Sequence, residues 1–115
     1  MGFSRLLSLD SDVALVTGAG AGIGRAIAVL FAEAGAAVVV SDLEPESAMA
    51  VAAEITAAGG RAIGLGCNVT EERDRVAAIE AVVSEFGKLT LLVNNAGGGA
   101  SPLTCPWSTF IGPSS

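Results

Sequence analysis

The stretch Thr17-Gly18-Ala19-Gly20-Ala21-Gly22-Ile23-Gly24 decides the fold of this chain. It follows a short apolar run, residues 13–16, and precedes apolar residues at helical spacing. A glycine-rich turn between a strand and a helix lets backbone N–H groups approach a pyrophosphate, and the helix N-terminus adds partial positive charge. An acidic residue, Asp42, ends the next apolar run. The stretch therefore predicts a dinucleotide site at the first turn of a βαβ unit.

Residues 11–97 are predicted to form alternating strands and helices. Strands are expected at 13–17, 37–41, 62–66 and 89–94, because these short runs are rich in Val, Ile and Leu, as buried parallel strands are. Between them, apolar residues recur with the 3.6-residue period of a helix. The three predicted apolar faces are Ile23, Ile27, Leu30, Phe31 and Ala34; Ala48, Val51, Ala52, Ile55 and Ala58; and Val76, Ile79, Val82, Val83 and Phe86.

This alternation predicts an α/β fold, the N-terminal part of a doubly wound Rossmann fold. We expect a parallel sheet in the order 3-2-1-4 with helices on both faces. Glycines after each periodic run, at Gly35, Gly59-Gly60 and Gly87, favour helix C-termini there. Pro45 is suited to the first turn of the second helix, and Thr70 is the predicted N-cap of the third.

Composition narrows the classes of protein and of partner. The 115 residues suffice for one domain, and mean hydropathy is high at +0.63. Either a parallel core covered on both faces or a piece of a larger protein explains this value. The net charge of −6, without a basic cluster, argues against nucleic acid and anionic membranes as partners. Two cysteines outside any CxxC predict reduced thiols and a cytoplasmic location, and we expect no metal site.

The periodic pattern stops near the end of the chain. Residues 98–115 hold three of the four prolines and the single Trp, and no helix or strand pattern fits them. We therefore divide the chain into a partial dinucleotide-binding domain, residues 1–97, and an irregular tail, residues 98–115. The abrupt change suggests a truncated or frameshifted end.

Asp42 bears on the choice of dinucleotide. A carboxylate at the end of the second strand can accept hydrogen bonds from the adenosine ribose hydroxyls. A 2′-phosphate at this place would meet like charge, and no basic residue stands at Ala19, Gly20, Ala21 or Leu43 to offset it. The sequence thus favours NAD over NADP.

The motifs together resemble the N-terminal half of a short-chain dehydrogenase/reductase. The resemblance rests on the glycine spacing Gly18-xxx-Gly22-x-Gly24, on Asp42, on Asn68-Val69 and on Asn94-Asn95-Ala96-Gly97, and it covers residues 10–97. The chain is similar in particular to the bacterial hydroxysteroid dehydrogenase and 3-oxoacyl-carrier-protein reductase branch.

The resemblance implies a role for each matching residue. Gly18, Gly22, Ile23 and Gly24 would line the pyrophosphate, and Asp42 would bind the adenosine ribose. Asn68 and Val69 would flank the adenine, and Asn95, Ala96 and Gly97 would border the cleft toward the nicotinamide. The family usually has Asp where this chain has Asn68, so we expect a modest loss of affinity, about 1 kcal/mol at most.

The resemblance also implies hydride transfer between a secondary alcohol and a ketone. The family performs it with Ser, Tyr and Lys, yet this chain contains no Tyr and no His. No catalytic residue is therefore assigned, and the chain alone is expected to be inactive, with an alcohol or ketone substrate only in a full-length form. The alternatives are a non-catalytic NAD-binding module and an inactive gene remnant. The family is usually homo-oligomeric.

Overall fold

Four parallel strands alternate with three helices along residues 8–95, the part of the chain described by the structure, which is a computed structural model. The sheet order is β3-β2-β1-β4, which confirms the predicted topology. Each strand boundary lies within two residues of its predicted position. The strands are β1 (Val13–Thr17), β2 (Ala37–Asp42), β3 (Arg61–Gly66) and β4 (Leu91–Asn94), and the helices are α1 (Gly22–Glu33), α2 (Pro45–Ala57) and α3 (Glu72–Phe86).

The two faces of the sheet are covered by different helices. Because successive side chains of a strand point to opposite faces, β1 and β2 each supply two sets of apolar residues. One set packs with α1 and α2, and the other packs with α3. The first set is Ala14, Val16, Val38 and Val40, and the second is Val13, Leu15, Ala37 and Val39.

Helix α2 lies very close to the edge strand β3. A Cβ atom on Gly64 would lie 2.6 Å from the Ala48 carbonyl oxygen, and one on Gly66 would lie 2.6 Å from Cγ of Pro45. Glycine is therefore required at both strand positions for this approach. The close packing fixes the start of α2 beside the carboxyl ends of β2 and β3.

The buried face of α1 differs from the predicted one. Ile23 is 72% exposed and Leu30 is 42% exposed, whereas Gly24 and Ala28 are buried. The helix meets the sheet through its smallest residues, since Gly24 packs against the turn after β1. The other two faces are largely as predicted, except that Ala58 and Val83 are exposed.

The predicted helix C-termini are confirmed by backbone geometry. Gly35, Gly59 and Gly87 follow α1, α2 and α3 with φ of 110°, 97° and 85°. This left-handed region is strained for residues with a Cβ, so glycine is favoured at the end of a helix. Pro45 is the first residue of α2, as expected.

Thr70 is not the N-cap of α3, so that prediction was wrong by one residue. Glu71 precedes the helix in extended conformation and makes no capping hydrogen bond with its side chain. The Thr70 hydroxyl is engaged instead with Oδ1 of Asn68, at 2.6 Å. A tight turn at Asn68 thus takes the hydroxyl that would otherwise have capped the helix.

Across residues 8–95 no helix is long and apolar enough to cross a membrane. The predicted irregular tail, residues 98–115, and the two predicted site residues Ala96 and Gly97 lie outside the described residues.

The central strand supplies a direct test of this packing. Leu15 is fully buried, whereas Met49 on α2 is 57% exposed. Leu15→Ala is expected to lower the free energy of unfolding by about 2–5 kcal/mol, because lost burial and a residual cavity both destabilise the fold. Met49→Ala, the control, should change it by about 0.5 kcal/mol or less. Urea unfolding followed by circular dichroism measures both, and equal effects would contradict the assigned core.

Candidate functional site

The carboxyl ends of all four strands meet at one edge of the sheet. In the parallel register, Thr17 of β1 pairs with Asn94 of β4, and Asp42 of β2 pairs with Gly66 of β3. Strand order reverses between β1 and β4, since the chain first builds outward to β3 and then returns to the other side of β1. Ligands of open α/β sheets bind at such a point.

The turn after β1 presents backbone N–H groups at this edge. Gly18 and Gly22 have φ of 61° and 63°, so the turn needs residues without a Cβ. The first hydrogen bond within α1 runs from the Arg25 N–H to the Ala21 carbonyl, at 3.3 Å. The preceding N–H groups, including those of Ile23 and Gly24, have no acceptor within the helix. Together with the helix dipole they form an anion-binding end.

Strand β4 holds this turn in place. Nδ2 of Asn95 donates to the Gly18 carbonyl at 3.1 Å, and the buried hydroxyl of Thr17 lies 3.0 Å from Oδ1 of Asn94. A Cβ on Gly24 would overlap the Gly18 carbonyl and lie 2.8 Å from Nδ2 of Asn95. The third glycine of the motif is therefore required for contact between the helix, the turn and β4.

Strand β2 holds the turn from the other side. Oδ2 of Asp42 accepts the Gly20 N–H at 2.9 Å, and Oδ1 accepts the Glu44 N–H at 3.0 Å. Each carboxylate oxygen can accept further hydrogen bonds, so Asp42 remains able to bind hydroxyl groups. Gly20 was not among the predicted site residues. A Cβ there would lie 2.8 Å from Oδ2 of Asp42, and its place within the glycine run is the signal that could have identified it.

The segment after β3 continues the same edge. The Cys67 N–H donates to the Asp42 carbonyl at 2.9 Å, which seats this segment beside the carboxylate. The Asn68 N–H donates to Oδ2 of Asp74 at 2.9 Å, and Nη1 of Arg75 donates to the Val69 carbonyl at 2.7 Å. The first turn of α3 thus fixes the backbone at Asn68 and Val69.

The Cys67 thiol is buried at the base of this segment. Burial raises its pKa, the nearby Asp74 carboxylate raises it further, and Arg75 opposes both. The thiol is therefore protonated at neutral pH and packs as a small apolar group beneath the site.

An exposed apolar side chain also borders the site and was missed in the sequence. Leu43 follows Asp42 directly and is 65% exposed. A large apolar residue left in solvent at the carboxyl edge offers a flat surface to an aromatic ring. Its only signal in the sequence is its position after the acidic residue.

These groups fit a dinucleotide. A turn of N–H groups suits two phosphates, a carboxylate with spare acceptor capacity suits a ribose, and an apolar surface beside Asn68 suits a base. The structure brings together all the predicted site residues that it describes: Gly18, Gly22, Ile23, Gly24, Asp42, Asn68, Val69 and Asn95.

Comparison with known proteins identifies the family. The family model described as short chain dehydrogenase matches residues 12–107. The chain belongs to the short-chain dehydrogenase family. Members of this family bind NAD(P), and the Rossmann-type sheet and site above are those of a short-chain dehydrogenase.

The similar short-chain dehydrogenases are longer than this chain. The 7alpha-hydroxysteroid dehydrogenase of Escherichia coli (strain K12) is 47% identical over 105 residues, which are 90% of this chain and 41% of that protein. The cyclohexanol dehydrogenase of Acinetobacter sp. (strain SE19) is 50% identical over 88 residues, 76% of this chain and 35% of that protein. The chain thus spans about two-fifths of the relatives' length or less.

Solved structures of short-chain dehydrogenases match the fold. A hydroxysteroid dehydrogenase from Escherichia coli superposes with a TM-score of 0.77 at 49% identity, covering 80% of this chain and 38% of that one. A short chain dehydrogenase from Mycobacterium avium gives 0.73 at 46% identity, covering 76% and 34%. The predicted resemblance to the family, including its hydroxysteroid dehydrogenases, is confirmed.

The contact at Gly24 can be tested by adding one methyl group. Gly24→Ala is expected to destabilise the fold by about 1–3 kcal/mol, because the new Cβ forces the Gly18 carbonyl and Asn95 apart. The control is Ala26→Ser on the exposed face of the same helix, expected to change stability by about 0.5 kcal/mol or less. Thermal unfolding measures both, and a Gly24→Ala variant as stable as the control would contradict the described packing.

Proposed function

We propose that this chain is the cofactor-binding part of an NAD-dependent oxidoreductase that interconverts a secondary alcohol and a ketone. The observation that carries the proposal is the Asp42 carboxylate, bonded to the Gly20 N–H at 2.9 Å, beside a glycine turn at the N-terminus of α1. When bound, NAD supplies the nicotinamide ring that accepts or donates the hydride. The chain's own residues bind and orient that cofactor.

Each part of the site is proposed to bind one part of the dinucleotide. The N–H groups near Gly18, Gly22 and Gly24 would bind the pyrophosphate, with Ile23 beside it. Asp42 would accept the adenosine ribose hydroxyls, and the base would lie over the segment after β3. Asn95 holds the turn, and the predicted contributions of Ala96 and Gly97 toward the nicotinamide stay part of the proposal.

The charge at the ribose position favours NAD over NADP. Asp42 brings a negative charge to the place that a 2′-phosphate would occupy, and the turn residues Ala19, Gly20 and Ala21 carry no positive charge. Phosphate binding at this position would need a cation, as an Arg provides in NADP-binding sites. The carboxylate therefore supports selectivity by repulsion as well as by hydrogen bonding.

The substrate is not encoded in the matched segment. The similar proteins are named for a 7alpha-hydroxysteroid, cyclohexanol and D-threitol, although their identities to this chain are 47%, 50% and 46%. Such equal similarity across different named substrates supports a segment that binds the shared cofactor. We therefore propose a small alcohol or ketone substrate only for a full-length form.

The chain alone is proposed to lack turnover. Its 115 residues contain no Tyr and no His, and its single lysine, Lys88, precedes β4 and so stands at the amino end of that strand. The amino end is the edge opposite the site, so Lys88 cannot assist a reaction at the cofactor. The second candidate is a non-catalytic NAD-binding module or an inactive remnant, and the absence of Tyr favours it for the isolated chain. A cytoplasmic location and homo-oligomers, as are usual in the family, complete the proposal.

Calorimetric titration of the chain with NADH and NADPH tests the cofactor assignment. NADH is expected to bind at least about tenfold more tightly, since the 2′-phosphate meets the Asp42 carboxylate. Asp42→Asn keeps an acceptor oxygen and removes the charge, so it should reduce this ratio by about tenfold.

The matched control is Glu46→Gln, which removes an exposed carboxylate from the first turn of α2. It should leave the NADH to NADPH ratio unchanged. Equal affinities for the two cofactors, or an equal response to the two substitutions, would contradict the role of Asp42. No binding of either cofactor at millimolar concentration would refute the proposed function.

Turnover separates the two candidate functions. The purified chain, mixed with NAD and a panel of secondary alcohols including a hydroxysteroid, is expected to form no NADH above the buffer rate, measured by NADH fluorescence. NADH binding without turnover supports a module that has lost the reaction. Alcohol oxidation by the chain would show that the catalytic groups were wrongly judged absent.

A further inference from the structure

Asn68 lies where the base of a bound dinucleotide must rest. Phosphates at the turn after β1 and a ribose at Asp42 of β2 direct the base outward along the sheet edge, toward the end of β3. The Cys67 N–H bond to the Asp42 carbonyl, at 2.9 Å, places Asn68 next to that ribose position. Asn68 is partly exposed there, so its side chain can meet the edge of the base.

The side-chain oxygen of Asn68 is already used. Oδ1 accepts the Thr70 N–H at 3.0 Å and lies 2.6 Å from the Thr70 hydroxyl. A backbone N–H can only donate, so the atom that it contacts must be the oxygen, and this fixes the orientation of the amide. Two donors fill the two lone-pair positions of a carbonyl oxygen.

The opposite atom of the amide, Nδ2, carries two hydrogens. Among residues 8–95 these hydrogens make no hydrogen bond, since the bonds of the Asn68 side chain are the two at Oδ1. The backbone on both sides is held by Asp74 and Arg75, so the amide keeps its position. Asn68 therefore offers a donor, and not an acceptor, to a neighbouring base.

We propose that Asn68 relaxes the preference of this site for adenine and admits a 6-oxopurine dinucleotide. The inference rests on the proposed function, because it concerns the base of the same bound cofactor. The exocyclic amino group of adenine is a donor and matches a donor poorly, whereas the 6-oxo group of hypoxanthine is an acceptor and matches it. Asn68 then determines base selectivity and adds nothing to the reaction.

The test compares NAD with nicotinamide hypoxanthine dinucleotide, which differs only in the base. Isothermal titration calorimetry of the full chain gives a dissociation constant for each, and their ratio cancels all contributions of the phosphates, riboses and nicotinamide. We expect the hypoxanthine form to bind no more than about threefold more weakly than NAD, because a donor–acceptor contact replaces a donor–donor contact.

Asn68→Asp is the decisive variant. One carboxylate oxygen keeps the turn with Thr70, and the other replaces the Nδ2 donor by a charged acceptor of equal size. The ratio of dissociation constants should then shift toward NAD by about tenfold or more, because a charge-assisted bond to the adenine amino group is gained. Thr70→Ser keeps both donors to Oδ1 and is the control, with an unchanged ratio. Melting temperatures check that each variant is folded.

The outcomes separate this inference from the proposed function. A ratio below about threefold in the original chain, with the shift in Asn68→Asp, supports the inference. NAD binding with stronger discrimination against hypoxanthine, or a ratio that Asn68→Asp leaves unchanged, overturns the inference and leaves the proposed function intact. A folded chain that binds neither dinucleotide overturns both.

Discussion

The hydrogen bonds that hold the turn after β1 are the constraint on which the rest of the site depends. The Gly18 carbonyl accepts from Asn95 of the β4 end, and the Gly20 N–H donates to Asp42 of the β2 end. A turn with two glycines at positive φ has many accessible conformations, so these two anchors select one of them. The N–H groups at the start of α1 are aimed at the ligand only because both neighbouring strands end at the same level as β1.

Small residues let the layers approach closely enough for that arrangement. Gly24 brings α1 against the turn, while Gly64 and Gly66 bring α2 against β3. Because α2 begins at Pro45, directly beyond Asp42, its close packing also limits where the Asp42 carboxylate can lie. The many glycines and alanines of this chain thus serve the positioning of the site as well as the packing of the core.

The sequence predicted the sheet order, the helix C-termini and the residues on the carboxyl edge, because these follow from local sterics and parallel topology. It failed at the buried face of α1, since periodicity treats Ile23 and Leu30 as core residues and gives no weight to Gly24. Only the contact with the distant Asn95 makes the small face the inner one. The Thr70 cap failed for a related reason, as a cap and a turn with Asn68 compete for one hydroxyl, and the sequence does not rank them.

The long sequence separation of the anchors couples the site to the whole sheet. Thr17 with Asn94, and Gly18 with Asn95, are each 77 residues apart along the chain. A peptide that carried the glycine stretch alone would lack both contacts, and the entropy of closing so large a loop must be offset by burial in β1–β4 before they form. A ligand that binds only the anchored turn therefore stabilises the pairing of β4 as well. In this fold, cofactor affinity and the stability of the β1–β4 contact share one set of hydrogen bonds.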